Sequence, residues 1–100
     1  MQVAIDSIRE FPSRNDGKPT VRLGGKYVDE FGQLATGHTF VKVDHRNWHQ
    51  WSEVLEAVAR NKGHWVIVDN VKMFNRKTGN WNADSKPVVI DIAIKQKENV

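Results

Sequence analysis

The chain has no cysteine, so disulfides, thiolate-bound zinc and thiol catalysis are excluded. Nothing in it calls for an oxidising compartment. It also lacks long apolar runs: none approaches the ~20 residues that a membrane-spanning helix needs. The opening residues, MQVAIDSIRE, have no apolar core of the kind a secretory signal carries. The expectation is a cytoplasmic protein with no membrane partner. Internal repeats and low-complexity segments are lacking too. Charge of one sign is in slight excess only: Lys+Arg 15 against Asp+Glu 12 gives +3 and a pI near 9.4. That balance suits a polyanionic partner without demanding one, so the distribution of the cations matters more than their number.

What is present is the composition of an ordinary folded protein, 39 % hydrophobic and 27 % charged over 100 residues. A chain of this length buries roughly 60–70 % of its unfolded surface, enough for one core. One domain over residues 1–95 is expected, followed by a short polar tail at 96–100.

Hydrophobic periodicity divides the chain. Val3 and Ile5 alternate with Ala4 and Asp6, which predicts a first strand. The segment SRNDGKP (13–19) has turn composition, and TVRLGGKYV reads as a second strand whose Gly24-Gly25 pair predicts a bulge or sharp bend. DEFGQLATG (29–37) reads as a turn and HTFVKVD as a third strand. The period then changes: Trp48, Trp51, Val54, Leu55 and Val58 recur at helical spacing. Asn47 with Gln50 resembles a capping box, with Asp44 as a second cap candidate, and Asn61-Lys62-Gly63 supplies a stop. HWVIVDNVKMF returns to strand character, 75–87 reads as a loop, and VVIDIAI alternates as a last strand. The predicted order is β-β-β-α-β-β, an all-β chain with one helix.

Five strands with a helix after the third resemble the OB-fold, a small Greek-key barrel that often binds oligonucleotides. The diglycine stands where such barrels bend one strand to serve both halves. DEFG (29–32) resembles the aspartate-to-glycine turn between the second and third strands, and GHWVIVDNVKM resembles the family's fourth strand. The resemblance spans about residues 2–95 and is to single-stranded DNA-binding proteins of small bacterial or phage-encoded type, which serve DNA replication or recombination. It implies a five-stranded OB-fold-like Greek-key barrel. The other fold with a comparable order is an SH3-like or other small α+β roll.

In such barrels the face of strands two and three, with the loops after strands one and four, forms the binding groove. Val21, Leu23, Val41 and Val43 share the expected core face, which leaves Arg22, Phe40 and Lys42 outward. Beyond the diglycine either Lys26 or Tyr27 continues that outer face. The first loop adds Arg14 and Lys18; the region after the fourth strand adds Lys72, Phe74, Arg76, Lys77, Trp81 and Lys86. Cations would meet phosphates, with salt-dependent affinity, and flat rings would stack bases at roughly 1–3 kcal/mol each. On this reading 75–87 is a mobile clamp with Trp81 awaiting a base; the alternative is that Trp81 folds back to close one end of the barrel. Phe74 is expected to pack at the base of the loop. Single-stranded DNA is the expected partner, RNA is possible because nothing reads a 2′-hydroxyl, and exposed apolar positions on the helix or last strand make a homo-oligomer possible. The rival is a protein-interaction module using the same aromatics.

Catalysis is not expected. RLGGKY has two glycines but lies mid-strand with no helix after it, so it is no phosphate loop. Asp69 and Asp91 could pair for metal-assisted nuclease work, but no spacing of the scattered carboxylates demands it. His45, His49 and Glu53 are spaced along one helix face, yet HRNWH lacks the glutamate of zinc-binding helices, and a solvated face accounts for them better. No metal or cofactor is expected, and His38 and His64 receive no role.

Overall fold

The computed structural model describes residues 1–44, 46–75 and 77–95. The elements are β1 (Val3–Pro12), β2 (Pro19–Val28), β3 (Leu34–Lys42), α1 (Trp48–Arg60), β4 (His64–Asp69), β5 (Met73–Asn75), β6 (Asn80–Trp81) and β7 (Val88–Ile94). The chain is therefore mostly β with one helix, but it has seven strands where five were expected. The run read as one strand over 64–74 ends at Asp69, because Asn70 adopts a left-handed φ of 63° and turns the chain. The end of that run, with Asn75, forms β5, and the segment read as a loop contributes β6, the two making a hairpin of three and two residues. Such short strands leave no periodicity to detect.

All seven strands join one sheet in the order β5-β6-β3-β2-β1-β4-β7. It curls strongly into a half-barrel of seven strands, in place of the expected five-stranded OB-fold-like Greek-key barrel. Part of the curl has a local origin. The register of β1 on β2 shifts between Ile5 and Ser7, where Ile5 faces Gly25 and Ser7 faces Gly24. The irregularity anticipated at the diglycine is thus carried by β1, around Asp6, while β2 pairs with β3 without interruption from Thr20 to Val28. A β-carbon on Gly25 would stand 1.9 Å from the Ala4 carbonyl oxygen, so only glycine allows the two backbones to close there.

Val3, Ile5, Val21, Leu23, Val41, Val66 and Val68 line the concave side and are buried. α1 covers them with Trp51, Val54, Leu55 and Val58, one helical stripe at the spacing that periodicity predicts. Each such side chain contributes about 1.5–3 kcal/mol on burial. Asn47 sits at the N-cap without a side-chain cap bond, so the expected capping box does not form. The Gln50 amide instead faces the far loop, where its nitrogen, once turned toward them, donates to the carbonyls of Ser85 (3.0 Å) and Asp84 (3.2 Å). At the other end Asn61 Nδ2 donates to Ala57 O at 2.8 Å, and Gly63 takes φ 85°. Val43, expected in the core, is 36 % exposed because β3 ends one residue before it. No helix among the described residues is long and apolar enough to cross a membrane.

Candidate functional site

Strand alternation sorts the predicted residues. Pairing places Arg9, Arg22 and Phe40 in one row across β1, β2 and β3, with Phe11, Thr20 and Lys42 in the next row on the same face. Both rows lie on the opposite side of the sheet from Val21, Leu23 and Val41. Phe40 is 46 % exposed. Phe11 meets it edge-on at 5.9 Å between centroids, and His38 does so at 5.2 Å. Burial, reinforced by the nearby Arg22 guanidinium, lowers the His38 pKa from its ordinary 6.5, so the imidazole beside Phe40 is neutral at pH 7.

Beside this cluster lies a cavity of about 450 Å³, within the usual range for a ligand cleft. Its walls include Phe11, Phe40, Phe74 and Trp81, with Arg14 and Lys42 at the rim. Five residues named from the sequence therefore converge on one place: Arg14, Phe40, Lys42, Phe74 and Trp81. The cavity opens where β3 loses its neighbour. Among the described residues β3 pairs with β6 only at His38↔Asn80, so residues 39–42 have no strand on that side. Asn80, Asn82, Ala83 and Asp84 form the opposite wall.

The first loop is built to hold Arg14 there. Ser13 N donates to Lys18 O and Gly17 N to Ser13 O, both at 2.9 Å, and Lys18 N donates to Asp16 Oδ1 at 3.1 Å. Two ion pairs then tie the loop to the end of β3: Lys42–Asp16 at 2.9 Å and Lys18–Asp44 at 3.0 Å. The Lys42 ammonium pulls the Asp16 carboxyl down to about 2. Lys18 lowers Asp44 in the same way and is itself raised by it. Both lysines thus face internal counter-ions that a phosphate would have to displace.

Trp81 departs from the stacking role. Its side chain is 1 % exposed and lies against β3, so close that a β-carbon on Gly37 would stand 2.3 Å from the indole nitrogen. Thr39 Oγ1 donates to the Trp81 carbonyl at 3.2 Å. The indole N–H is buried and makes no hydrogen bond among the described residues. The ring is the floor of the cavity and closes one end of the core, which is the second of the two roles weighed for it. Nor is the following segment a loose clamp. Trp51 Nε1 donates to Ala83 O at 2.6 Å, Asn82 N to Lys72 O at 2.6 Å, and Asn70 Nδ2 to Lys86 O at 2.7 Å. Phe74, expected to pack, is 64 % exposed instead.

The other predicted residues spread out. Lys26 continues the Arg22 face and donates to Thr36 Oγ1 at 2.9 Å. Tyr27 turns to the other face, packs partly on the core, and borders a second hollow with Phe31 and Met73. Lys72, Lys77 and Lys86 are exposed and lie outside the cavity walls; Arg76 and His45 lie outside the described residues. Sequence reasoning missed Phe11, because the first strand was ended at Ile8; Arg9 and Glu10 are both charged and break the polar-apolar alternation before Phe11. It also missed His38, whose ring contact depends on β3 geometry. Among the described residues no group of three or more His, Asp or Glu could hold a metal ion.

Comparison with known proteins adds no identity: no family model, curated protein or solved structure matches this chain.

Proposed function

We propose that this protein binds single-stranded nucleic acid, DNA first, without catalysis and with little sequence preference, as its resemblance to OB-fold single-stranded DNA-binding proteins implies. The observation that carries the reading is the convergence of Phe11, Phe40 and Phe74 with Arg14 and Lys42 around one open cavity beside the unpaired edge of β3. Rings without hydrogen-bonding edges accept any base, since every base offers a π-face, and the rim cations take the phosphates. Arg22 lies in the Phe40 row and extends the cationic track along the outer face. RNA fits the same chemistry. The rival, a protein-interaction module, draws on Phe31 and Leu34 at the β2–β3 turn, which are 79 % and 70 % exposed.

The test is fluorescence anisotropy of dye-labelled oligo(dT) titrated with protein across a salt series. Three phosphates neutralised by Arg14, Arg22 and Lys42 give a log–log slope near −2, about a fourfold loss of affinity per doubling of salt. Absence of binding at low salt overturns the reading. Binding that ignores salt points to the aromatic interaction module instead.

A further inference from the structure

The sheet ends in two unlike edges. β5 is three residues long, too short to template another chain. β7 is seven residues, VVIDIAI, with no proline or lysine inside it. Val88, Ile90, Ile92 and Ile94 on it are 51, 48, 36 and 78 % exposed. Natural edge strands are normally blunted by lysine, proline, shortness or a covering element. Here the guard is Asp91, whose Oδ1 accepts the Ile92 N–H at 2.8 Å and so occupies that donor within the chain.

We propose that β7 is a homodimer interface, in which β7 of a second copy adds antiparallel about a two-fold axis through Ala93. Charge complementarity selects the partner and the register. In this alignment Asp91 faces Lys95 of the second copy, and symmetry repeats the pair. Ile92 faces Ile94 of the second copy, also twice, and the outward backbone groups of these isoleucines exchange hydrogen bonds once Asp91 leaves the Ile92 N–H to pair with that lysine. Centring the axis on Asp91 would instead set two carboxylates against each other, which is unfavourable across a sheet. Lys95 is already on the correct face: its ammonium bonds Asp6 Oδ2 at 2.7 Å and lies 4.9 Å from the centroid of the Trp65 ring. Ala93 pairs with that same Trp65, and Asp91 with Ile67, so Asp91, Ala93 and Lys95 share one side and the isoleucines the other. An ammonium has three donors, so Lys95 can keep Asp6 while taking Asp91 of the second copy. β7 stands at the opposite end of the strand order from the β3 edge. Both grooves of the dimer therefore stay open, and the inference does not depend on the nucleic-acid reading.

Sedimentation of the full chain over a concentration series tests the dimer, and cross-linking tests its axis. The mass should rise from 11.5 kDa toward twice that value, while Asp91→Lys, an exposed change that sets lysine against lysine, should stay at one chain mass with its melting curve intact. Residues facing each other at a non-hydrogen-bonded pair have Cα atoms about 4.5 Å apart, inside the ~4.4–6.8 Å range of disulfides. Because the chain has no cysteine of its own, Ala93→Cys should oxidise to a covalent dimer many-fold faster than Phe31→Cys at the distant hairpin tip. A wild type that stays at one chain mass overturns the proposal. So does a dimer that Asp91→Lys leaves intact, or one that cross-links no faster through position 93 than through position 31.

Discussion

Trp81→Ala and Phe40→Ala should fail in opposite ways. The Trp81 ring is buried to 1 % against Gly37 and Thr39, so truncating it leaves a large cavity and costs ~3–5 kcal/mol. For a domain of this size each kcal/mol lowers Tm by ~4–8 °C, which gives a fall of roughly 12–40 °C. Total stabilities of ~5–15 kcal/mol leave such a variant folded at low temperature or barely so. Trp81→Phe should lose much less, because it keeps a ring and removes an indole N–H that is buried without a hydrogen bond. Phe40 is 46 % exposed and meets Phe11 and His38 only edge-on, so Phe40→Ala should cost no more than ~1.5 kcal/mol of stability. Its loss should show in binding instead: one stacked base, ~1–3 kcal/mol, or about 5- to 150-fold weaker affinity for oligo(dT). Thermal melts followed by circular dichroism, with anisotropy titrations below the melting range, separate the two effects. A Trp81→Ala protein that melts beside the wild type but no longer binds would refute the floor assignment and return the ring to the ligand.

The remaining expectations concern the loop, the bend and the histidine. Asp16→Asn keeps an acceptor for Lys18 N but releases Lys42; oligo(dT) should bind more tightly at low salt, because Lys42 no longer has to leave a counter-ion to reach its phosphate, whereas an unchanged affinity means Lys42 meets no phosphate. Gly25→Ala drives a β-carbon into the Ala4 backbone and should destabilise by ~1–3 kcal/mol or more. Gly24→Ala meets chiefly the Ser7 hydroxyl, which can rotate away, and should be neutral or gain up to ~1 kcal/mol, as urea melts would report. For His38, burial and Arg22 lower the pKa, so its contribution to stability is complete above its ordinary 6.5 and is lost as pH falls through the lower folded value. A phosphate nearby favours the charged ring, so oligo(dT) affinity should climb as pH falls below the ordinary 6.5, and His38→Gln should flatten that climb.

The helix and the outer face were legible because each rests on local spacing. Trp51, Val54, Leu55 and Val58 name their own stripe, and Arg22, Phe40 and Lys42 follow from the alternation of Val21, Leu23 and Val41. What escaped depended on partners distant in the chain. The burial of Trp81 is set by Gly37 and Thr39, some forty positions earlier, and no feature of NRKTGNWNADS announces it. β3 begins at Leu34 because Leu34 pairs with Val28, but both are exposed, so no apolar pattern marks the start. The turn before it is defined by Asp29, whose carboxylate accepts the N–H groups of Phe31 and Gln33 at 2.9 and 2.8 Å; the DEFG motif showed the turn but not how soon it ends. Lys26 and Tyr27 stayed alternatives for the outer face because the diglycine was expected to disturb the register of β2, whereas the extra residue lies in β1.

The junction of β1 with β4 involves only Val3, Ala4 and Ile5, facing Val68, Ile67 and Val66. Read as a matter of time, this junction is a seam between two assembly steps. β1, β2 and β3 are joined by short turns and can zip up from neighbours, while the β1–β4 pairing must close a loop that spans most of the chain, the slow kind of contact. Arg14, Arg22, Phe40 and Lys42 belong to the early half, whereas Phe74, Trp81 and the far wall of the cavity arrive with the late one. β7, docked on β4, belongs to the late one. On this order the outer face of β1, β2 and β3 takes shape before the apolar edge strand has a sheet to extend, so incomplete chains would carry the Arg22–Phe40 face without the far wall of the cavity and without a β7 sheet edge through which to pair.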